Sequence, residues 1–272
     1  MQNNFPEDRA KFKLLIADYD GTLAGVDHVV TPVVEAAVKK WIDSGRYFSI
    51  ATGRQFGMIN EDCKKLSLKT PVITRGGAEI VDPTTGKIIS AELIDKKSIG
   101  ELMTIFFENN LSFLVEHGNV LYTNFKYVLD FPNVMKKELE DFETQDAPKM
   151  VVKAYDHDYE KVHKLMDEIE NSRPYLSILR THNKFGYGWD ITSVKATKLH
   201  GVVHVMEYVN VKREEVVGVG DSYNDFPLLE ASGFKVAMAN GHQEVKEIAD
   251  VIVPSHDEDG VAYLIDQLLN EN

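Results

Sequence analysis

Three apolar runs in this chain each end in polar residues that can bind a phosphate or a divalent cation. The runs are 13–17, 46–51 and 215–220, and the polar residues that follow them are Asp18, Asp20, Thr52, Gly53, Asp221, Asn224 and Asp225. Short apolar runs followed by helical patterns are typical of buried parallel strands. Ligands of such sheets bind at the carboxyl ends of the strands. The polar residues are therefore expected to meet at one edge, and their chemistry indicates phosphoryl transfer assisted by a cation.

Asp18 and Asp20 are the candidates for the chemical steps. An exposed carboxylate is ionised at neutral pH, so Asp18 can attack phosphorus directly and form an aspartyl-phosphate. Asp20 can protonate the leaving alkoxide and then activate water. The pair precedes Gly21 and Thr22, where the chain can turn sharply and direct N–H groups at an anion. The alternative is that both acids only cap a loop, which does not explain their convergence with the other strand ends.

The acidic residues after the third run give a reason to expect Mg²⁺. An acidic site needs a cation before it can bind a phosphate, and Mg²⁺ prefers carboxylate, carbonyl and water oxygens. The predicted protein ligands are Asp18, the main-chain carbonyl of Asp20, and Asp221, with Asp225 holding a metal-bound water. Asn224 can donate to a phosphate oxygen. Asp221 and Asp225 can also cap the following helix, and capping does not exclude metal binding.

Thr52 and Gly53 are predicted to bind the phosphate. They place a hydroxyl and an unhindered N–H at a strand end that leads into a helix, where anions are favoured. A lysine is expected to complete charge neutralisation in the transition state. Lys195 and Lys198 both precede the third run, and Lys198 is favoured because it begins the helical pattern that leads to the strand before Asp221.

The pattern of helices and strands predicts an α/β protein in two parts. Alternating strands and helices cover 11–74 and resume from 198 to a closing helix at 259–269, and a hairpin is predicted at 78–91. The middle of the chain is mixed, with helices predicted near 96–109, 133–143 and 158–171 and aromatic-rich strands between them. We therefore expect a parallel-sheet core at 1–82 and 191–272, with an inserted α/β domain at 83–190.

The composition is that of an ordinary globular protein with an excess of acidic residues. The chain has 272 residues, of which 30 are Lys or Arg and 43 are Asp or Glu, so the formal net charge is −13. This charge disfavours nucleic acid and anionic membranes as partners, and no apolar stretch approaches the length of a membrane span. We expect a cytoplasmic protein that is a monomer or a weak homodimer. The single cysteine, Cys63, is interpreted as an ordinary helix residue.

Taken together, these motifs resemble those of haloacid dehalogenase superfamily phosphatases, and most closely the Cof-type, or type IIB, branch. The motifs are, in chain order, Asp18-Tyr19-Asp20-Gly21-Thr22, Thr52-Gly53-Arg54, Lys198 and Gly220-Asp221-Ser222-Tyr223-Asn224-Asp225. The resemblance implies a Rossmann-like core, with an α/β cap inserted after the third strand and closing over the site. It also implies Asp18 as nucleophile, Asp20 as general acid and base, Thr52 and Lys198 on the phosphate, and Mg²⁺ on Asp18, Asp20 and Asp221.

Three positions depart from the family pattern. Tyr19 replaces a small aliphatic residue, Leu199 follows Lys198 where Gly is frequent, and Arg75 takes the place of an Asn. The second departure keeps Lys195 as an alternative to Lys198. Because arginine can bind anions in a bidentate manner, Arg75 is a candidate for reading a second anionic group on the substrate, and the alternative is a structural or solvent-exposed role.

The expected function is hydrolysis of a small soluble phosphate ester, in particular a sugar phosphate. One alternative is a phosphomutase of the same superfamily, which returns the phosphoryl group to a sugar. The other is a non-catalytic sensor that binds sugar phosphates. The sensor is disfavoured because a binding protein has no need of both Asp18 and Asp20.

Overall fold

The computed structural model describes residues 5–25, 28–125, 133–154, 159–183 and 186–270. These residues form fourteen β-strands and eight α-helices. The strands are β1 Leu14–Ala17, β2 Tyr47–Ile50, β3 Val72–Thr74, β4 Glu79–Val81, β5 Ile88–Ala91, β6 Ser112–His117, β7 Val120–Thr123, β8 Met135–Glu138, β9 Lys149–Lys153, β10 Leu176–Asn183, β11 Gly186–Ser193, β12 Val216–Gly220, β13 Phe234–Met238 and β14 Val251–Val253. The helices are α1 Pro32–Asp43, α2 Phe56–Lys65, α3 Lys96–Glu108, α4 Tyr159–Ser172, α5 Lys198–Val209, α6 Phe226–Ala231, α7 Gln243–Ile248 and α8 Gly260–Leu269.

The backbone contacts divide the chain into two compact units. The first, named here the core unit, contains the described residues of Met1–Arg54, Ile59–Ser90 and Thr197–Asn272. The second, named the inserted unit, contains those of Gln55–Met58 and Ala91–Ala196. The assignment of 1–82 and 191–272 to a catalytic core, and of 83–190 to a substrate-selecting cap, stays a prediction.

The core unit contains a five-stranded sheet in the order β14-β13-β12-β1-β2. All of its neighbouring strands pair in parallel. Every residue of β1 and β12 is buried, as expected for short apolar strands that are covered on both faces. The predicted α/β fold with a parallel-sheet core is therefore confirmed.

The strand register brings the three motif-bearing ends together. Ala17, the last residue of β1, pairs with Val219 of β12 on one side and with Ile50 of β2 on the other. Because the strands are parallel, the residues that follow Ala17, Ile50 and Val219 all leave the sheet at the same edge. This edge is where the first acidic motif, the Thr-Gly pair and the second acidic motif lie.

The N-terminus of helix α5 places Lys198 at this edge of the sheet. Thr197 caps its N-terminus by accepting a hydrogen bond from the His200 N–H, and Lys198 is its first residue. The helix packs on the sheet through Val202 and Val205, which belong to the same buried apolar cluster as strand residues of β1 and β12. Its N-terminus lies against Gly77, which has a φ of 109°, and a Cβ there would lie 2.1 Å from the Thr197 carbonyl oxygen. A side chain at position 77 would therefore displace the start of α5.

The inserted unit is built on a six-stranded sheet in the order β10-β11-β9-β6-β7-β8. Helices α3 and α4 contribute to one apolar cluster with alternate residues of β6, β9 and β11, as the two-residue period of a half-covered sheet requires. At its centre Phe106 of α3 packs edge-on against Phe113 of β6, with ring centroids 5.2 Å apart.

One predicted helix of this unit is wrong. Residues 133–143 contain β8 and a short 3₁₀ turn at Leu139–Asp141 instead of an α-helix. The sequence of β8 is Met-Lys-Lys-Glu, which favours a helix on intrinsic propensity, but β8 pairs in parallel with β7 at the edge of the sheet. All four of its side chains are exposed, as on a charged edge strand.

No helix within the described ranges combines the length and the apolar character that a membrane crossing requires.

Candidate active site

The centre of the site is an ion cluster at the edge of the parallel sheet. Lys198 Nζ lies 2.5 Å from Asp18 Oδ1 and 2.5 Å from Asp225 Oδ1. Asp18 is 3% exposed, Lys198 2% and Asp225 0%. Burial by itself lowers the pKa of a lysine, but the two carboxylates outweigh burial and raise the pKa of Lys198 above its usual value. Lys198 is therefore a fixed positive charge against the carboxylate of Asp18.

A third carboxylate, Asp221, completes what we call the acidic cluster. Asp18, Asp221 and Asp225 each place one carboxylate oxygen within 4.8 Å of the others. The Thr22 hydroxyl donates to Asp221 Oδ1 at 3.1 Å. The pKa of Asp221 is raised to about 6, mainly by burial and secondly by the negative charge of Asp225. Burial and the charges of Asp225 and Asp221 likewise raise the pKa of Asp18 well above its usual value, although Lys198 opposes them.

The turn after β1 is shaped around Asp221. Gly21 has a φ of 83°, and a Cβ there would lie 2.7 Å from Asp221 Oδ2. The Gly21 carbonyl accepts a hydrogen bond of 2.8 Å from the Asn240 side chain. Glycine is therefore required at position 21 both for its backbone conformation and for the close approach of the Asp221 carboxylate.

Asp225 serves as a structural cap as well as a member of the acidic cluster. Its Oδ2 accepts hydrogen bonds of 3.0 Å from the N–H groups of Asp221 and Ser222, while its Oδ1 faces Lys198. Asp225 therefore caps the short 3₁₀ turn at Tyr223–Asp225, whereas its side chain makes no capping hydrogen bond to α6, the helix that the sequence predicted it would cap. Asn224 lies in the same turn, and its Oδ1 accepts a hydrogen bond of 2.5 Å from the Ser222 hydroxyl.

Thr52 and Gly53 follow β2 at the same sheet edge. Thr52 is 1% exposed, and its hydroxyl oxygen accepts a hydrogen bond of 3.1 Å from the Arg54 N–H. The Thr52 main chain is tied to the end of β3, since its N–H donates to the Ile73 carbonyl and its carbonyl accepts from the Gly76 N–H. A Cβ on Gly53 would meet nothing within 4 Å, so the space beside its Cα is open.

The carboxylate of Asp20 lies outside the acidic cluster. Arg54 binds it in a bidentate manner, with Nε 2.7 Å from Oδ2 and Nη2 2.5 Å from Oδ1. His28 Nδ1 lies 3.0 Å from Asp20 Oδ1 and 2.6 Å from Arg54 Nη2. This nitrogen can donate to the carboxylate or accept from the guanidinium, so only one of the two contacts is a hydrogen bond at a time. Arg54 and His28 are not among the residues predicted from sequence, although the position of Arg54 directly after the Thr-Gly pair is a signal that points to it.

The two candidate lysines lie in different surroundings in the structure, and Arg75 lies in a third. Lys198 lies in the ion cluster, whereas Lys195 is exposed. Arg75 is 2% exposed and forms an ion pair with Glu79, which is 3% exposed. A buried guanidinium that is already paired with a carboxylate has a structural role, so the interpretation of Arg75 as a reader of a second anionic group is disfavoured. The roles predicted for the other site residues stay predictions.

The donor set of the acidic cluster fits a hard divalent cation. The Lys198 ammonium contacts two of the three clustered carboxylates, so it neutralises only part of their negative charge. Buried carboxylates whose pKa values are raised by one another are stabilised when a cation replaces the competing protons. Among the residues that the structure describes, this group offers only carboxylate oxygens as ligands, which Mg²⁺ prefers. The site can therefore combine a buried carboxylate, a fixed ammonium and a divalent cation.

Comparison with known proteins gives concordant results. The family model for haloacid dehalogenase-like hydrolases matches residues 15–265. Phosphatase YwpJ of Bacillus subtilis is 29% identical over 292 aligned positions, which cover 94% of this chain and 100% of that protein. The 5-amino-6-(5-phospho-D-ribitylamino)uracil phosphatase YwtE of Bacillus subtilis is 26% identical, over 95% of this chain and 98% of that protein. The solved structure of BT1666 from Bacteroides thetaiotaomicron, described among phosphatases of the same superfamily, has a TM-score of 0.79 at 25% identity and covers 98% of this chain and 99% of that one.

Proposed function

Because this chain belongs to the haloacid dehalogenase-like hydrolase family, we infer that it is a phosphatase of that family. We propose that it is a Mg²⁺-dependent hydrolase of a small phosphate monoester, in particular a sugar phosphate, and that the reaction proceeds through an aspartyl-phosphate on Asp18.

The observation that carries this proposal is the buried contact between Asp18 and Lys198. A nucleophilic carboxylate must approach an anionic phosphate, and the ammonium 2.5 Å from Asp18 Oδ1 offsets the repulsion. In the proposed first step an Asp18 oxygen forms a bond to phosphorus and the bond to the ester oxygen breaks. The ester oxygen keeps the electron pair of the broken bond and receives a proton from Asp20. Thr52 and Gly53 are proposed to bind the phosphate oxygens from the neighbouring strand end.

In the proposed second step water releases the phosphate. The water oxygen attacks phosphorus, the Asp18–phosphorus bond breaks, and the electron pair returns to the Asp18 carboxylate. Asp20, ionised by the first step, takes a proton from the water and is ready for the next substrate. The bidentate contact with Arg54 supports this assignment because it fixes the orientation of the Asp20 carboxylate.

Mg²⁺, when bound, neutralises the acidic site so that a phosphate can approach the nucleophile. Asp18, Asp221 and the main-chain carbonyl of Asp20 are the residues that would hold it, with Asp225 acting through a water molecule. Lys198 and Asn224 would bind the phosphate oxygens on the same side.

The proposal of a sugar phosphate rests on the relatives and on the charge of the chain. The name of YwtE specifies a phosphate on a ribityl chain, a polyol. A net charge of −13 disfavours nucleic acid and anionic membranes as partners. We also propose that the protein works in the cytoplasm as a monomer or weak homodimer, and size-exclusion chromatography with light scattering tests the oligomeric state.

The deciding experiment measures inorganic phosphate released from sugar phosphates, polyol phosphates, nucleotides, flavin mononucleotide and pyridoxal phosphate, with Mg²⁺ or with EDTA. Wild type is compared with Asp18→Asn and with Asp43→Asn, a matched change at an exposed surface ion pair on α1. We expect metal-dependent release that Asp18→Asn abolishes and Asp43→Asn preserves. Release that survives Asp18→Asn contradicts the proposed nucleophile, and an isomeric sugar phosphate formed without free phosphate would indicate a mutase.

A further inference from the structure

The carboxylate of Asp20 is held by a group that has its own support. Arg54 contacts both oxygens of Asp20 and is only 12% exposed at its side chain, whereas Asp20 is 45% exposed. Both main-chain polar groups of Arg54 are hydrogen-bonded. Its N–H donates to the Thr52 hydroxyl, and its carbonyl accepts from the Arg75 N–H. The Arg54 side chain is therefore better shielded from solvent than the carboxylate that it holds.

The ring of Tyr19 lies beneath that guanidinium. The Arg54 Cζ is 4.9 Å from the centroid of the ring, within the range of a cation–π contact. Tyr19 is 1% exposed and stands between Asp18 and Asp20 in the chain. A planar guanidinium that rests on a planar ring keeps its N–H groups in one plane, which is what bidentate contact with a carboxylate requires.

The far end of Tyr19 is anchored to a helix. Its hydroxyl donates to Asp62 Oδ2 at 2.6 Å, and Asp62 lies on α2 and also accepts from Lys65 at 3.2 Å. Asp62 is 9% exposed, so this hydrogen bond is largely shielded from water and is worth more than a surface contact. The contacts form a continuous series from α2 through Tyr19 and Arg54 to Asp20.

We propose that Tyr19 is a positioning residue for the second half of the reaction: it holds Arg54, and Arg54 holds the Asp20 carboxylate in the orientation that takes a proton from the attacking water. This inference rests on the proposed function, because it assumes that Asp18 carries the phosphoryl group and that Asp20 is the base. In the step it serves, the water oxygen bonds to phosphorus, the bond between Asp18 and phosphorus breaks with its electron pair returning to the Asp18 carboxylate, and one proton moves from the water to Asp20.

The test measures how much of the enzyme is phosphorylated during turnover. Wild type, Tyr19→Leu and Tyr19→Phe turn over p-nitrophenyl phosphate with Mg²⁺, the reaction is quenched with acid, and intact mass gives the phosphorylated fraction. Tyr19→Leu removes both the ring and the hydroxyl, and we expect kcat to fall by about tenfold, a part of the 10²–10⁴-fold effect of general acid–base catalysis. The phosphorylated fraction should rise, because release from Asp18 is the step that slows. Tyr19→Phe keeps the ring under Arg54, so its kcat should fall by only about two- to threefold.

Two controls separate positioning from stability. Tyr208→Leu makes the same chemical change at a residue that is 62% exposed on α5, and Trp41→Phe alters a buried ring on α1. Both should leave the phosphorylated fraction unchanged, even where Trp41→Phe lowers the melting temperature. A phosphorylated fraction in Tyr19→Leu that is unchanged or lower than in wild type would overturn the inference, because a merely structural defect slows both steps.

A further variant, Asp20→Asn, tests the proposed function in the same experiment. Asp20→Asn should accumulate phosphate on Asp18, and failure to do so contradicts the proposed mechanism itself. If Asp20→Asn accumulates phosphate and neither Tyr19 variant does, only the role of Tyr19 is wrong. If Tyr19→Leu does not fold, Tyr19→Phe decides, and a fraction equal to that of wild type then overturns the inference.

Discussion

Replacing Lys198 by methionine should destabilise the metal-free protein strongly. Methionine has a similar length but leaves Asp18 and Asp225 facing each other without the ammonium that lies 2.5 Å from each. Removing one partner of a buried ion pair costs about 3–5 kcal/mol. For domains of this size each kcal/mol lowers the melting temperature by roughly 2–4 °C, so we expect a decrease of about 6–20 °C.

The assay is thermal unfolding in EDTA, followed by far-ultraviolet circular dichroism. Lys195→Met is the matched control, because Lys195 is exposed and its substitution should change the melting temperature by no more than about 1–2 °C. The measurement is repeated at about pH 7.5 and about pH 5. The folded-state pKa values of Asp18 and Asp221 are raised, in the case of Asp221 to about 6. The folded form therefore keeps protons that the unfolded form has lost, and acidification favours folding.

The pH dependence gives the result that would refute this reasoning. Protonation of Asp18 or Asp221 removes negative charge from the acidic cluster, so the difference between wild type and Lys198→Met should shrink from about pH 7.5 to about pH 5. Adding Asp18→Asn to Lys198→Met should likewise recover part of the stability, because it removes one of the unpaired carboxylates. A destabilisation that is independent of pH and is not reduced by Asp18→Asn would show that Lys198 stabilises by packing rather than by charge.

Three further predictions follow from other contacts. Mg²⁺ should raise the melting temperature of wild type through binding to the folded form, and Asp221→Asn should lose most of that increase in a Mg²⁺ titration; an increase equal to that of wild type contradicts a ligand role. Arg75→Met leaves Glu79 buried without its cation and should cost about 3–5 kcal/mol in denaturant unfolding. Glu79→Gln in the same chain should recover part of that loss, with the ranking of substrates unchanged throughout; a changed ranking restores the substrate-reading role. Burial, followed by the charge of Asp62, raises the pKa of the Cys63 thiol to about 12, so a disulfide reagent should label the native protein at least about 100-fold more slowly than the urea-unfolded one, and equal rates would contradict this.

The sequence was sufficient for the parts of the molecule that depend on local pattern. The apolar runs before Asp18, Thr52 and Asp221 became strands because a short, fully apolar segment has no stable position outside a covered sheet. Parallel pairing then placed their polar ends at one edge. The four motifs likewise identified the family, which the match over 15–265 confirms.

Pairing between distant segments could not be predicted in the same way. The helix expected near 133–143 was wrong because pairing with β7 determined the conformation of β8, and intrinsic propensity is weaker than such a contact. Arg75 gave no sign in sequence of its ion pair with Glu79, although the two residues are only four apart, because β3 and β4 form a hairpin-like pair that brings them together. Tyr19 departs from the family pattern in the sequence itself, but its contact with Asp62 depends on where α2 packs.

Two carboxylates that are two residues apart in the chain therefore have opposite environments. Asp18 is buried among like charges, with one ammonium beside it, whereas Asp20 is nearly half exposed and bound by a guanidinium. Strand geometry does not explain this difference, because residues two apart in an extended strand point to the same face of the sheet. The difference comes from what each side chain meets: Lys198 delivered by α5, and Arg54 delivered by the turn after β2. A nucleophile benefits from a shielded site with a fixed cation, and a proton carrier benefits from access to water, so the separation of these two environments would allow two identical side chains to take the two different roles proposed for them.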